Sequence, residues 1–193
     1  MSAGGTLPGP DGAPRCPWAV STPEYVEYHD TEWGRPVRDD AGLYERLVLE
    51  GFQSGLSWLT ILRKRPAFRA AFAGFDPAAV AAFDDVDRAR LLADVGIVRN
   101  RGKIEAAITN ARAALDLSSG LAALVWSFQP ASHMPATVAD VPASTPDSAA
   151  MAKELKRQGF LFIGPVTAYA LMQACGVVND HLRDCHWRGA ATG

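Results

Sequence analysis

With 193 residues, 48% of them hydrophobic, the chain can bury one substantial core or two small lobes that share a cleft. A formal net charge of −2 excludes a protein coated in basic surface; a local basic face stays open, because phosphate binding depends only on the few cations that touch it. Three cysteines are too few for a disulfide framework and indicate a reducing, cytoplasmic setting, and no apolar run approaches the ~18 residues of a membrane span.

Residues 1–14 have neither a basic nor an apolar signal-peptide region and read as a disordered Gly/Pro/Ala-rich tail. One domain is expected over 15–187, with 188–193 as a short tail. Asp40 is the predicted N-cap of a helix from Ala41 to about Ser54, with Leu43, Leu47, Val48 and Leu49 on its apolar stripe. Pro66 breaks or kinks a helix that starts near Ser57. Asp76-Pro77 and Thr145-Pro146 each place a capping side chain before a proline at the first helical position. Further helices are predicted over 78–83, 86–95, 103–117 and 148–158, all rich in strong helix formers. No stretch alternates long enough for a sheet, and residues 129–142, with three prolines, read as a connection between two helical halves. The expected fold is all-α, with two helical lobes and a cleft between them.

Basic residues gather in three groups, namely Arg63-Lys64-Arg65 with Arg69, then Arg99, Arg101 and Lys103, then Lys153, Lys156 and Arg157. Taken alone, each reads more readily as a solvated helix face than as a phosphate contact, and the turn signals beside them shift that balance only modestly. Two glycine-bracketed turns, Gly96 to Gly102 and Gly159 to Gly164, each end one helix and start another. Such a turn leaves unpaired N–H groups at a helix N-terminus, which suits a phosphate, and its glycines admit a DNA backbone. The second turn, with Phe160 and either Phe162 or Ile163 packed inward, has the shape of a helix-hairpin-helix element.

Glu50 stands at the end of an apolar helix, where an ionised carboxylate is costly unless something meets it. Trp18, Tyr25, Tyr28, Trp33 and Trp58 flank it in sequence and offer flat stacking faces for a heterocycle. The other reading is a structural glutamate beside core aromatics. Cys16 and His29 near one end, with His181 and Cys185 near the other, form a sufficient tetrahedral set for zinc. His181 and Cys185, spaced i, i+4, would share one face of a C-terminal helix, and a metal would staple the N-terminal segment to it. The pairing fits no short zinc signature, so ordinary thiols and surface histidines remain open.

From Arg15 to about His186 the chain resembles the bacterial 3-methyladenine DNA glycosylase I family, of the helix-hairpin-helix glycosylase superfamily. The carriers are Arg15-Cys16-Pro17-Trp18, Tyr28-His29-Asp30-Thr31-Glu32-Trp33-Gly34, the run Leu49 to Trp58, the run Gly96 to Ile104, and Met172 to His181. It departs from the family pattern at Ser54, where alanine is common, and in the tail His186-Trp187-Arg188, whose His186 adjoins Cys185.

The resemblance implies one structural zinc on Cys16, His29, His181 and Cys185, tying the termini together. It implies that Glu50 hydrogen-bonds the edge of a flipped base, that Trp58 and Trp18 stack on it, and that Tyr28 and Tyr25 line the pocket with Trp33. Gln53 and Leu56 are expected to wedge into the gap in the DNA. Arg99, Arg101, Lys103, Gly159 and Gly164 are expected on its backbone. The implied partner is double-stranded alkylated DNA, the product free 3-methyladenine, and the enzyme a monomer with no membrane association. The hairpin has no lysine, so hydrolysis without a Schiff base, leaving an abasic site, is expected. Two other classes remain. One is a zinc-stapled DNA-binding module without chemistry. The other is an unrelated hydrolase using Glu50 with His133 or His186.

Overall fold

The structure, a computed structural model, describes residues 5–192; the outermost parts of the two expected tails, residues 1–4 and 193, lie outside the described residues. Among the described residues the architecture is helical, with one two-stranded ribbon. Strands β1 (Leu7–Pro8) and β2 (Pro14–Arg15) pair antiparallel, with Leu7 opposite Arg15. This corrects the expectation of disorder for that part of the tail. The cause is electrostatic: the buried Arg15 guanidinium binds Asp11 at 2.5 Å across the turn and Asp30 of the first helix at 2.7 Å. At the other end Arg188 to Thr192 forms a 3-10 turn, held by the Arg188 guanidinium on the carbonyls of His133, Asn179 and His181.

Between them lie α1 (Pro23–Thr31), α2 (Asp40–Gln53), α3 (Trp58–Ala71), α4 (Pro77–Ala81), α5 (Asp85–Ala93), α6 (Arg101–Asp116), α7 (Gly120–Trp126), α8 (Pro146–Arg157) and α9 (Pro165–Ala174). The caps follow the sequence chemistry. Asp76 accepts from Ala78 N–H, and Thr145 from Ser148 N–H. Asp39 rather than Asp40 caps α2, because the Asp40 carboxylate reaches across to accept Ala122 N–H at the start of α7. The chain stays helical through Pro66, so the break expected there does not occur.

Two hydrophobic cores result. The larger packs α2 against α3, α6, α7 and α9, with α8 on α9, around Tyr44, Phe52, Phe68, Phe72, Phe75 and Phe160. The smaller gathers Cys16, Leu182 and Cys185 with Trp18, Trp33 and Trp187, so it joins the two ends of the chain. Val141 packs against both, and the site described next opens where they meet.

The first basic group is structural. Arg63 pairs with Glu24 and Arg69 with Glu45, both at 2.8 Å, and Arg65 grips Glu32 with two bonds of 2.6 Å. Lys64 donates to the carbonyls of Val95 and Gly96. These contacts brace α3 against α1, α2 and the turn after α5.

Candidate active site and metal cluster

A cavity of about 410 Å3 lies between the two cores. Its lining combines Trp18, Tyr25, Tyr28 and Trp33 from the N-terminal segment with Glu50, Gln53 and Trp58 from α2 and α3, and Gln173, Asp180 and Leu182 from the C-terminal part. The sequence-named aromatic set and Glu50 therefore converge on one space. The aromatic faces brace one another. Trp18 meets Tyr25 and Trp33 edge-on with centroids 5.6 and 5.1 Å apart, and Tyr28 tilts against Trp58 at 5.4 Å. The Tyr25 hydroxyl accepts Leu59 N–H at 3.0 Å, so a free donor of the α3 N-terminus fixes that ring.

Glu50 is 6% exposed and has no hydrogen-bond partner among the described residues. Burial pushes its carboxyl up to about 8, so at neutral pH it holds its proton. Burial, with the Glu50 charge next, also raises the Tyr28 phenol well above its ordinary range. A cationic ligand against Glu50 reverses the balance by supplying the charge that the cavity lacks. Such a carboxyl is a poor structural strut.

Several residues that line the cavity carried no assigned role in the sequence. Val138 and Val141 come from the stretch read as a simple connection. Gln173 and Asp180 stand in a block that carries the resemblance, but their spacing gives no sign of a shared site. Asp180 is buried and accepts from Tyr169 Oη at 2.6 Å and Gln173 Nε2 at 2.8 Å, with His133 Nδ1 at 3.0 Å. His133 lines a different pocket, and His186 is exposed with its ring on Trp187. Neither histidine lines the Glu50 cavity, so the unrelated-hydrolase pairing has no geometric basis.

Behind Trp33 the four metal candidates come together: one ligand atom from each of Cys16, His29, His181 and Cys185 lies within 4.8 Å of every other. All four are buried. His29 Nε2 is 3.1 Å from His181 Nδ1, and Cys185 Sγ is 3.5 Å from each. Metal–ligand bonds of about 2.0–2.3 Å give tetrahedral edges of roughly 3.3–3.8 Å. The ring tautomers support the same reading. His29 Nδ1 faces the Asp30 carboxylate at 2.8 Å and His181 Nε2 faces the Trp33 carbonyl at 3.2 Å, which places the protons on those outer nitrogens. Two lone pairs are then left facing each other, an arrangement that a cation relieves. The Cys185 thiol, hydrogen-bonded to Cys16 and flanked by both histidines, is held far below its usual range. The group can therefore hold a metal. His181 and Cys185 do not lie on a helix as expected; they are joined by turns that follow α9, and it is the loop that returns Cys185 to His181. His186, one residue on, is not part of the cluster.

The DNA-facing candidates divide. Arg99 and Arg101 are exposed at the α6 N-terminus, with no side-chain partner among the described residues. Lys103 is a correction: it is 9% exposed, and its Nζ donates to the carbonyls of Phe52 and Ser54 at 2.9 and 2.6 Å. The ammonium satisfies free carbonyls at the C-terminus of α2, where the helix dipole also favours a cation. It thereby holds the turn carrying Gln53, on the cavity wall, and Leu56, 41% exposed. In the second turn Gly159 takes φ +92° after α8, and Gly164 is the N-cap of α9. Phe160 and Ile163 point inward while Leu161 and Phe162 stay exposed. Asn110 of α6 pairs with both the N–H and the carbonyl of Leu161, at 2.7 and 3.1 Å, and the Phe162 ring lies over Gly102. The two glycine turns are thus docked together on one face.

The chain matches known proteins over nearly its whole length. A family described as methyladenine glycosylase matches residues 18–188. DNA-3-methyladenine glycosylase 1 of Escherichia coli (strain K12) is 48% identical over 177 residues, covering 89% of this chain and 95% of that protein. A crystal structure of 3-methyladenine DNA glycosylase I superposes with a TM-score of 0.86 at 48% identity, covering 89% of this chain and 98% of the other. A tyrosine-to-phenylalanine variant of 3-methyladenine DNA glycosylase I, in complex with 3-methyladenine, matches with a TM-score of 0.86 at 33% identity, covering 90% and 97%.

Proposed function

The chain belongs to the methyladenine glycosylase family, and on that premise we propose that it is a DNA repair enzyme that excises 3-methyladenine from alkylated DNA by hydrolysis. The observation that carries this reading is the aromatic-walled cavity with a buried, unpartnered carboxyl at Glu50. A base methylated at N3 is a cation, and electron-rich rings attract it by about 0.5–2 kcal/mol per contact. Trp18 and Trp58 stack on it, and Glu50 meets its edge and gives up its proton as the cation arrives.

A stacked base cannot reach a cavity 410 Å3 in size, so the nucleotide is flipped out of the duplex. Leu56, exposed on the turn that Lys103 holds, fills the space left behind, with Gln53 beside it. Arg99, Arg101 and the turn from Gly159 to Gly164, a helix-hairpin-helix element in this reading, carry the phosphates. Water attacks C1′ of the sugar as the bond from C1′ to N9 breaks, and the attacking water gives up its proton to solvent. The bonding pair leaves with the base and neutralises its charge, so the leaving group needs little further assistance. The product is an abasic site with no covalent enzyme intermediate.

The metal in this reading is one zinc, held by Cys16, His29, His181 and Cys185, with Asp30 and the Trp33 carbonyl orienting the imidazoles. Its role is to fix Trp18 and Trp33, which border the cavity on one side and the cluster on the other. A monomer on double-stranded DNA is the simplest assembly, and among the described residues no helix is long and apolar enough to cross a membrane. The test is to incubate the purified protein and its Glu50→Gln variant with methylated DNA and identify the bases released. Release of 3-methyladenine by the wild type with weakened binding in the variant is expected; a DNA-binding module without chemistry releases none.

A further inference from the structure

Among the described residues the cavity wall carries two amide side chains, Gln53 and Gln173, and the orientation of Gln173 is fixed from behind. Its Nε2 lies 2.8 Å from Asp180 Oδ2. That carboxylate is 2% exposed and already takes the Tyr169 hydroxyl, with the His133 ring on its other oxygen. A carboxylate only accepts, so the amide must turn its NH2 group toward Asp180. The Gln173 carbonyl oxygen is then committed to the other side, and no donor among the described residues reaches it. It is not sealed in protein either: the buried polar atoms without partners are the indole nitrogens of Trp58 and Trp187. The amide therefore presents an acceptor to the cavity and cannot flip to present a donor without breaking its bond to Asp180.

We propose that Gln173 is a specificity-determining residue, an oriented acceptor that favours a base with an exocyclic amine over one with an oxo group at the same position. This rests on the glycosylase reading above and deepens it. Methylated DNA contains both kinds of purine. The adenine-type base has an NH2 at C6, with two hydrogens for two acceptors, Glu50 and Gln173. The guanine-type base has an oxygen there, and an acceptor facing an acceptor leaves both desolvated and unpaired, which discriminates more strongly than a lost apolar contact. The Tyr169–Asp180–His133 network is the support that keeps the amide from turning over to accommodate the wrong base.

The experiment uses DNA carrying both 3-methyladenine and 3-methylguanine, with each released base quantified under single-turnover conditions for wild type and Gln173→Met. Methionine keeps the length of the side chain and removes both polar groups. Both bases are released by the same preparation, so the ratio of their rates is independent of the fraction folded. That ratio should fall about tenfold in the variant, through slower 3-methyladenine release with 3-methylguanine release unchanged or faster. An unchanged ratio, even with both rates reduced, overturns the proposal and leaves Gln173 a packing residue. Should the methionine variant not fold, Gln173→Leu is measured in the same way. Failure of the wild type to release 3-methyladenine at all is a different result and overturns the glycosylase reading itself.

Discussion

Glu50→Gln should stabilise the ligand-free protein, and by more as the pH rises. Glu50 ionises near 4.5 in an unfolded chain and at about 8 in the fold, because burial without a partner penalises the charge. A folded-state pKa above the unfolded one contributes stability that is fully present below the lower value and lost as pH rises through the higher. At about 1.4 kcal/mol for each tenfold change, the wild type loses roughly 2–3 kcal/mol between about pH 5 and pH 7 through this one group. Glutamine cannot ionise and loses none of it. In a domain of this size that difference is about 5–10 °C in Tm. The assay is thermal unfolding of both proteins across this window, read as the Tm difference between them. Every other contribution is common to both proteins and cancels. A difference that stays constant with pH would show that Glu50 is paired or solvated in the ligand-free protein, and would refute the reasoning. Free 3-methyladenine, although uncharged, should shrink the difference, since its exocyclic amine donates to the Glu50 carboxylate and offsets part of the burial penalty of the wild type alone.

Lys103→Ala should lower stability by roughly 1.5–3 kcal/mol in unfolding assays, the loss of two charged hydrogen bonds to the end of α2. It should leave the salt dependence of DNA affinity unchanged. Arg101→Ala should do the reverse, with normal stability and a slope of log affinity against log salt reduced by about one. Removing the metal with a chelator, or Cys16→Ala, should lower Tm clearly, and metal analysis should give one zinc per chain.

Local chemistry made most of the fold legible. Aspartate or threonine before proline placed the starts of α4 and α8, and glycines at 159 and 164 placed the turn between α8 and α9. What stayed hidden depends on distant partners. Asp40 looks like a cap, but its partner is Ala122, 82 residues on. Lys103 looks like a phosphate contact because its burial is set by α2, 49 residues away at Ser54. The run Arg63-Lys64-Arg65 looks like a basic patch until Glu24 and Glu32 arrive from α1 and its end. Residue type alone left two readings open for Glu50 among aromatics and for the Cys/His set; it was the family resemblance that singled them out, and the fold brings each set together. Gln173 and Asp180 were not legible, since their roles follow from one hydrogen bond whose direction only the fold defines.

The most direct test of the glycosylase reading is the identity of what the purified protein releases from methylated double-stranded DNA. Free 3-methyladenine is expected, with an intact strand containing an abasic site and no borohydride-trapped complex. Binding to that DNA without release of any base, or release coupled to a trapped covalent intermediate, would contradict it.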